Sequence, residues 1–329
     1  MQSKTGVILL SASLIFTSAV AWALDLQGHR GARGKMPENT LPGFAYALTT
    51  GVSTLEMDLA ASQDGTVIVT HDTTLSPALA RDANGEWLSQ QGPAFFALPV
   101  PQIKAYDVGS INPNSRLARR FPDQKRMNGI SIPSLDEVFD LVKRSGNRSV
   151  RFNIETKLNP GKPALSPSPA EFAAAVLAVV ERRGLADRVT VQSYDWRTLQ
   201  EIQRRNAGIR TSYLTVQQKW LDNIELGKSG VSPWTAGLDA DDFSSIPDMI
   251  AKAGGRIWSP FHREVNQKSI ARAHELGLEV AVWTVNGRDR MAEMIDMGVD
   301  GIITDYPALL REVMAARGLP LPPATPVEP

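Results

Sequence analysis

The sequence predicts an α/β protein, an irregular (β/α)8 barrel with a subdomain inserted on the face that carries its chemistry. Three observations lead there. Short apolar runs alternate with helical patterns along almost the whole chain. Nearly every run ends in polar residues: HRG, EMD, THD, ETK, QSYD, WTVN and ITD. The carboxyl ends of all barrel strands meet on one face, whereas a doubly wound sheet gathers its polar ends at a switch point beside a glycine-rich loop. The stretch HRGARG is not such a G-x-G-x-x-G loop.

The elements follow in order. Residues 1–23 read as a secretory leader, with Lys4 before an apolar stretch and AWA as a small-x-small cleavage site after Ala23. The competing reading is an uncleaved anchor, which the Ser and Thr interruptions disfavour, since a span needs about 20 mostly apolar residues. LDLQGHRG is the first strand, and Asn39 and Thr40 cap a helix over LPGFAYALTTG. STLEMDLA and TVIVTHD are strands too close together for a helical crossover, so they form a hairpin around Asp64-Gly65. Residues 75–131 break the rhythm with many turns and two apolar patches, and are read as the insertion. Without them the mature chain comes to about 250 residues, the usual size of a barrel. Ser134 and Glu137 form a capping box before VFDLV. The strands SVRFNIETK, RVTVQSYD, IRTSYLT, RIWSPF, LEVAVWTVN and GIITDYP then alternate with helices. The barrel domain runs over 24–318, and the proline-rich end, 319–329, reads as a loose tail.

Composition narrows the function. Basic and acidic side chains balance at 35 each, so no positive field exists to hold a nucleic acid, and phosphate could be bound only locally. No cysteine is present, which excludes thiolate chemistry and leaves an exported chain to be stabilised by packing alone. With four histidines in all, a metal site must lean on carboxylates.

The stretch EMDLAASQDGTVIVTHD carries the densest signal. Glu56 and Asp58 are two apart on a strand and share a face. A two-residue turn at Asp64-Gly65 would set Asp58 opposite His71, bringing Glu56, Asp58 and His71 together. With Glu155 of NIETK as a third acid, the set suits a hard divalent cation, Ca²⁺ or Mg²⁺; Zn²⁺ is disfavoured by the lack of thiols. Glu56 and Asp58 could otherwise be solvated strand positions. His29 and His71, each at the end of an early strand, are the two groups that acid–base catalysis on an ester requires. His262 reads as a loop residue and His274 as a surface helix position. Arg30 and Lys157 either bind phosphate oxygens or pair with Glu56 and Glu155. Glu38 and Asn39 brace the site, and Trp283 either walls the pocket or fills core.

HRG with PENT, then E-x-D, HD, IETK, QSYD, WTVN and ITDYP, together with YDVG inside the insertion, resemble the glycerophosphodiester phosphodiesterases, in the exported form with an insertion after the second histidine. The resemblance spans nearly the whole mature chain. It implies a barrel enzyme that hydrolyses glycerophosphodiesters to an alcohol and glycerol 3-phosphate. It puts a divalent metal, Ca²⁺ or Mg²⁺, on Glu56, Asp58 and Glu155, acid–base roles on His29 and His71, and phosphate on Arg30 and Lys157. Tyr194, where many relatives carry Phe, departs mildly. Two alternatives remain: a related barrel phospholipase acting on lipid phosphodiesters, and a periplasmic binding protein without turnover. The expected partner is a small phosphodiester, with no nucleic acid and no stable membrane span after leader removal. The expected location is the periplasm or the medium.

Overall fold

The computed structural model describes residues 24–329, so the expected leader and its cleavage site lie outside the described residues. In chain order the strands are β1 (Asp25–Gly28), β2 (Thr54–Ala61), β3 (Val67–Val69), β4 (Arg151–Thr156), β5 (Val189–Ser193), β6 (Arg210–Thr215), β7 (Gln217–Gln218), β8 (Leu221–Asp222), β9 (Ile257–Pro260), β10 (Glu279–Val282) and β11 (Gly301–Thr304). Eight of them pair in parallel in the order β1-β11-β10-β9-β6-β5-β4-β2, and β2 returns to β1. The sheet is thus closed, and the expected barrel is the fold. Strand β3 lies antiparallel on β2 outside the closed ring, while β7 and β8 make a separate small ribbon.

The helices are α1 (Leu41–Thr50), α2 (Val100–Lys104), α3 (Arg116–Arg120), α4 (Leu135–Arg144), α5 (Pro169–Arg182), α6 (Trp196–Arg205), α7 (Ile246–Lys252), α8 (Gln267–Glu275), α9 (Arg288–Asp296) and α10 (Pro307–Ala316). Helix α4 begins with the expected capping box of Ser134 and Glu137. Thr40, not Asn39, caps α1 by accepting the Gly43 N–H. Leu55, Met57, Leu59, Phe152, Ile154 and Val191 alternate outward from the strands into the layer beneath the helices. The stretch Pro163–Arg182 is apolar and long enough to cross a membrane, but its helical part, α5, buries Phe172, Val176 and Val180 against the barrel.

The hairpin register differs from the expected one. Leu59 faces Val69 and Ala61 faces Val67, so the loop holds three residues, Gln63 to Gly65, and Asp58 faces Thr70 instead of His71. Gly65 adopts a left-handed φ of 78°, which closes the longer loop. Asp-Gly serves either loop, because both need a positive φ, and the choice moves the pairing by one residue. His71 reaches the site only because the chain leaves the ladder after Val69.

Residues 75–131 fold over the outside of this hairpin around their own small core of Leu75, Phe95 and Ile103, packed with Ile68 and Ile132. Asp107 is its anchor: it pairs with Arg81 at 2.6 Å and accepts the backbone N–H groups of Gly109 and Gly129 at 2.8 Å. The proline-rich end is not loose. Thr325 donates its N–H to the Leu48 carbonyl, its hydroxyl accepts from Asn147, Arg311 donates to the Pro322 carbonyl, and Val327 packs on the core.

Candidate active site

The site starts in the turn that follows β1. A Cβ on Gly28 would lie 2.3 Å from the Gly31 carbonyl oxygen, and one on Gly31, at φ +85°, would lie 2.7 Å from the Gly43 backbone. Only glycine fits either position, and the tightness fixes the two residues between them. Arg30 is held at a left-handed φ of 50°, which turns its N–H onto Glu56 Oε2 at 2.9 Å. Asn39 is also left-handed, at 54°; its amide donates to Asp58 Oδ2 at 2.8 Å, and its Oδ1 accepts the Asp58 N–H. Two non-glycine residues in this sparsely populated region, one holding Glu56 and the other Asp58, mark local strain at a site. Glu38 binds Arg30 at 2.6 Å, so Glu38 and Asn39 do brace it.

Parallel register brings the acids level. Asp58 on β2 lies beside Glu155 on β4, and Glu155 beside Gln192 on β5. Glu56, Asp58 and Glu155 are buried, and each offers an oxygen within 4.8 Å of the others. Gln192 donates to Glu56 at 2.7 Å, and Asn153 donates to both Gln192 and Gln27, which links the strands below the acids by side-chain hydrogen bonds. Burial and the neighbouring Asp58 push the Glu56 carboxyl well up. Burial pushes Glu155 up to about 7 against the pull of Lys157. Asp58 is held well below its usual range: burial opposes its charge, but Arg30, His71 and Lys157 outweigh burial. Three crowded carboxyls, two of them resisting ionisation, are an all-oxygen set that one divalent cation would hold fully charged.

The imidazoles flank this cluster, each oriented by a carboxylate. His29 Nδ1 is 2.6 Å from Asp305 Oδ1, while its Nε2 lies 4.0 Å from Glu56. Asp305 is itself clamped by Arg33 at 2.9 and 3.1 Å and by Asn286 at 2.7 Å. Burial lowers His29 to about 4 despite Asp305, so the neutral ring donates Nδ1–H to Asp305 and presents a bare Nε2. His71 Nδ1 is 2.8 Å from Asp72, and its pKa is lowered by burial and then by Arg30 and Lys157.

One cavity of about 1110 Å³ joins these groups: His29, Arg30, Glu56, His71, Glu155 and Lys157 all line it. Asp58 lies beneath its surface. Lys157 sits 2.8 Å from Glu155 and 3.6 Å from Asp58. Arg30 Nε is 3.1 Å from Asp58 but misaligned for a hydrogen bond, which leaves a buried donor unsatisfied. Trp283 lines the cavity wall, edge-on to Tyr194 at 5.7 Å, with its Nε1 donating to the Ser259 carbonyl at 2.9 Å. The wall reading of Trp283 therefore describes its position better than core filler. His262 and His274 stand apart, bound to Arg290 and Asp300.

Asp305, Arg33, Asn286, Asp72 and Gln192 were not singled out from the sequence. All five stand in or beside the polar strand ends HRG, THD, QSYD, WTVN and ITD, which is the available signal.

Residues 29–309 match the model of the glycerophosphoryl diester phosphodiesterase family. A glycerophosphodiester phosphodiesterase of Caldanaerobacter subterraneus subsp. tengcongensis is 25% identical over 88% of this chain and 97% of its own. One of Bacillus subtilis is 24% identical over 87% and 84%. Among solved structures, a Silicibacter pomeroyi protein assigned to the same activity superposes with a TM-score of 0.80 at 37% identity, over 91% of this chain and 95% of that one. An Oleispira antarctica phosphodiesterase in complex with the product sn-glycerol-3-phosphate shares the fold, with a TM-score of 0.66 at 18% identity, over 90% and 98%.

Proposed function

The chain belongs to the glycerophosphoryl diester phosphodiesterase family and is a phosphoric diester hydrolase; from that premise we propose that it cleaves glycerophosphodiesters to an alcohol and glycerol 3-phosphate by paired-imidazole catalysis beside a carboxylate-bound divalent cation. The observation that carries this reading is the meeting of two carboxylate-oriented histidines, two cations and the acids Glu56 and Glu155 in one cavity, with Asp58 buried beneath its surface.

Arg30, with its unsatisfied Nε, and Lys157 take the non-bridging phosphoryl oxygens and offset the charge that builds there. Glu56, Asp58 and Glu155 would hold Ca²⁺ or Mg²⁺. Such an ion, when bound, polarises a phosphoryl oxygen. His29 and His71 share the proton work: one accepts the proton of the attacking hydroxyl, and the other delivers one to the departing alcohol oxygen. Asp305 and Asp72 hold the rings so that each Nε2 is the working atom. The attacking group is water or the substrate's own glycerol hydroxyl, the second route passing through a cyclic phosphate. A protein that only bound the diester would have no use for two oriented proton carriers.

The test is release of glycerol 3-phosphate from glycerophosphocholine, with and without chelator. Release that stops on chelation and returns with Ca²⁺ or Mg²⁺ is the expected result; binding without release under any metal would leave only the binding-protein reading. We also propose that the enzyme works after export, on the strength of Lys4, the apolar stretch and AWA. Mass spectrometry of the exported chain should then find Leu24 as its first residue.

A further inference from the structure

A second cavity of about 720 Å³ opens beside the catalytic one. Arg120, Phe261 and Thr284 line both. Its other walls include His262, Arg263 and Arg290. The three arginines come from separate segments: the end of α3 in the insertion, the loop after β9, and α9. Their meeting is a product of the fold and not a run of charge in the chain. Among the described residues no carboxylate lines this cavity. Arg290 is engaged, by Glu293 at 2.7 Å and by the His262 ring and carbonyl. Arg120 and Arg263 have no ion pair among the described residues, so both guanidinium groups are available to an anion in this cavity. His262 accepts the Arg290 Nε–H on Nδ1, which leaves its ring proton on Nε2 as a further donor. Burial and then Arg290 and Arg263 lower His262 to about 4, as a positive local field requires.

The position relative to the chemistry is specific. Asn286 lines this second cavity and donates to Asp305, the carboxylate that orients His29. The basic cavity therefore begins one residue behind the His29–Asp305 pair. From this geometry we propose that the Arg120–Arg263–Arg290 cavity binds a second phosphoryl group, carried on the alcohol portion of the substrate. The guanidinium fork matches phosphoryl oxygens in pairs, which a lysine cannot do. The inference rests on the phosphodiesterase reading and adds a preference among diesters: those whose leaving alcohol bears a further phosphate.

Two diesters that differ only in that group test it, glycerophosphoglycerol and glycerophosphoglycerol phosphate. Wild type should favour the second in kcat/KM, and Arg263→Gln should lose roughly tenfold on it, through KM. Arg263→Glu should lose more, and both variants should keep glycerophosphoglycerol turnover within about twofold, since Arg263 does not line the catalytic cavity. Inorganic phosphate is the second arm. Phosphate that alters glycerophosphoglycerol turnover in wild type but not in Arg263→Glu would assign the same site to a free anion. Equal behaviour of wild type and Arg263→Glu with both diesters and with phosphate would overturn the proposal. If wild type hydrolyses neither diester, the fault lies instead in the underlying reading of the reaction.

Discussion

At the scale of single residues, the site depends on groups that hold others in place. Asp305 makes no contact with the buried acids, yet it fixes which nitrogen of His29 faces them. Asp305→Asn keeps the shape and loses the charge, and its amide can offer the ring a proton instead of taking one. Turnover should fall by about 10²-fold or more with KM little changed, and Asp305→Glu should restore part of it. A parallel loss in both parameters would mean that the turn itself had moved. Glu155 supplies a different prediction. Removing even an outer partner of a metal ligand costs ~10–100-fold in metal affinity, so Glu155→Gln should raise the Ca²⁺ or Mg²⁺ needed for half-maximal activity by at least that much. Calorimetric titration of the metal should show the same weakening, and an unchanged requirement would remove Glu155 from the ligand set. His29, His71 and the three acids could be found in the sequence because strand ends with charged side chains stand out against apolar runs. Asp305 stands out equally in ITDYP, but its partner is 276 residues away and nothing local names it.

At the scale of elements, periodicity and capping chemistry did most of the work. Ser134 and Glu137 announce α4 because each satisfies a backbone N–H that the first turn leaves free. Helix α10, in PALLREVMAA, lacks these signals: Tyr306 at its start makes no side-chain cap, and neither its first turn nor its last carries a charge that complements the helix dipole. The expected hairpin register is one residue off the observed one, since Asp-Gly closes two-residue and three-residue loops alike. The insertion yields a pH prediction. Burial opposes the charge of Asp107, but the N–H groups of Gly109, Gly129 and Ile130, with Arg81, hold its carboxyl below the usual carboxylate range. A lowered folded pKa means stability that is fully present above the ordinary carboxylate pKa and lost as pH falls toward the folded value. Asp107→Asn should therefore melt below wild type at pH 7, and the gap should narrow as pH drops below about 4. A gap that stays constant with pH would mean that Asp107 contributes through shape and not through charge.

At the scale of the whole molecule, closure of the sheet decides what the elements can do together. The pairing of β1 with both β11 and β2 brings the first and last strands side by side, and with them His29 and Asp305. The end of the chain belongs to the same folded unit. Deleting 319–329 removes the Thr325 hydrogen bonds and the Pro322 acceptor of Arg311, so the melting temperature should drop by about 2–6 °C with kcat unchanged. An unaltered melting temperature would make these contacts incidental. The amino-acid sequence by itself determined the alternation of strand and helix, the polar strand tips, the caps, and thereby the barrel and its family, because side-chain periodicity and turn chemistry act over a few neighbouring residues. Only the tertiary structure decided the hairpin register, the carboxylate behind each imidazole, the tied-down tail and the basic cavity beside the site. Each of those is a distance between remote residues, and such distances are set when the barrel closes and its core packs.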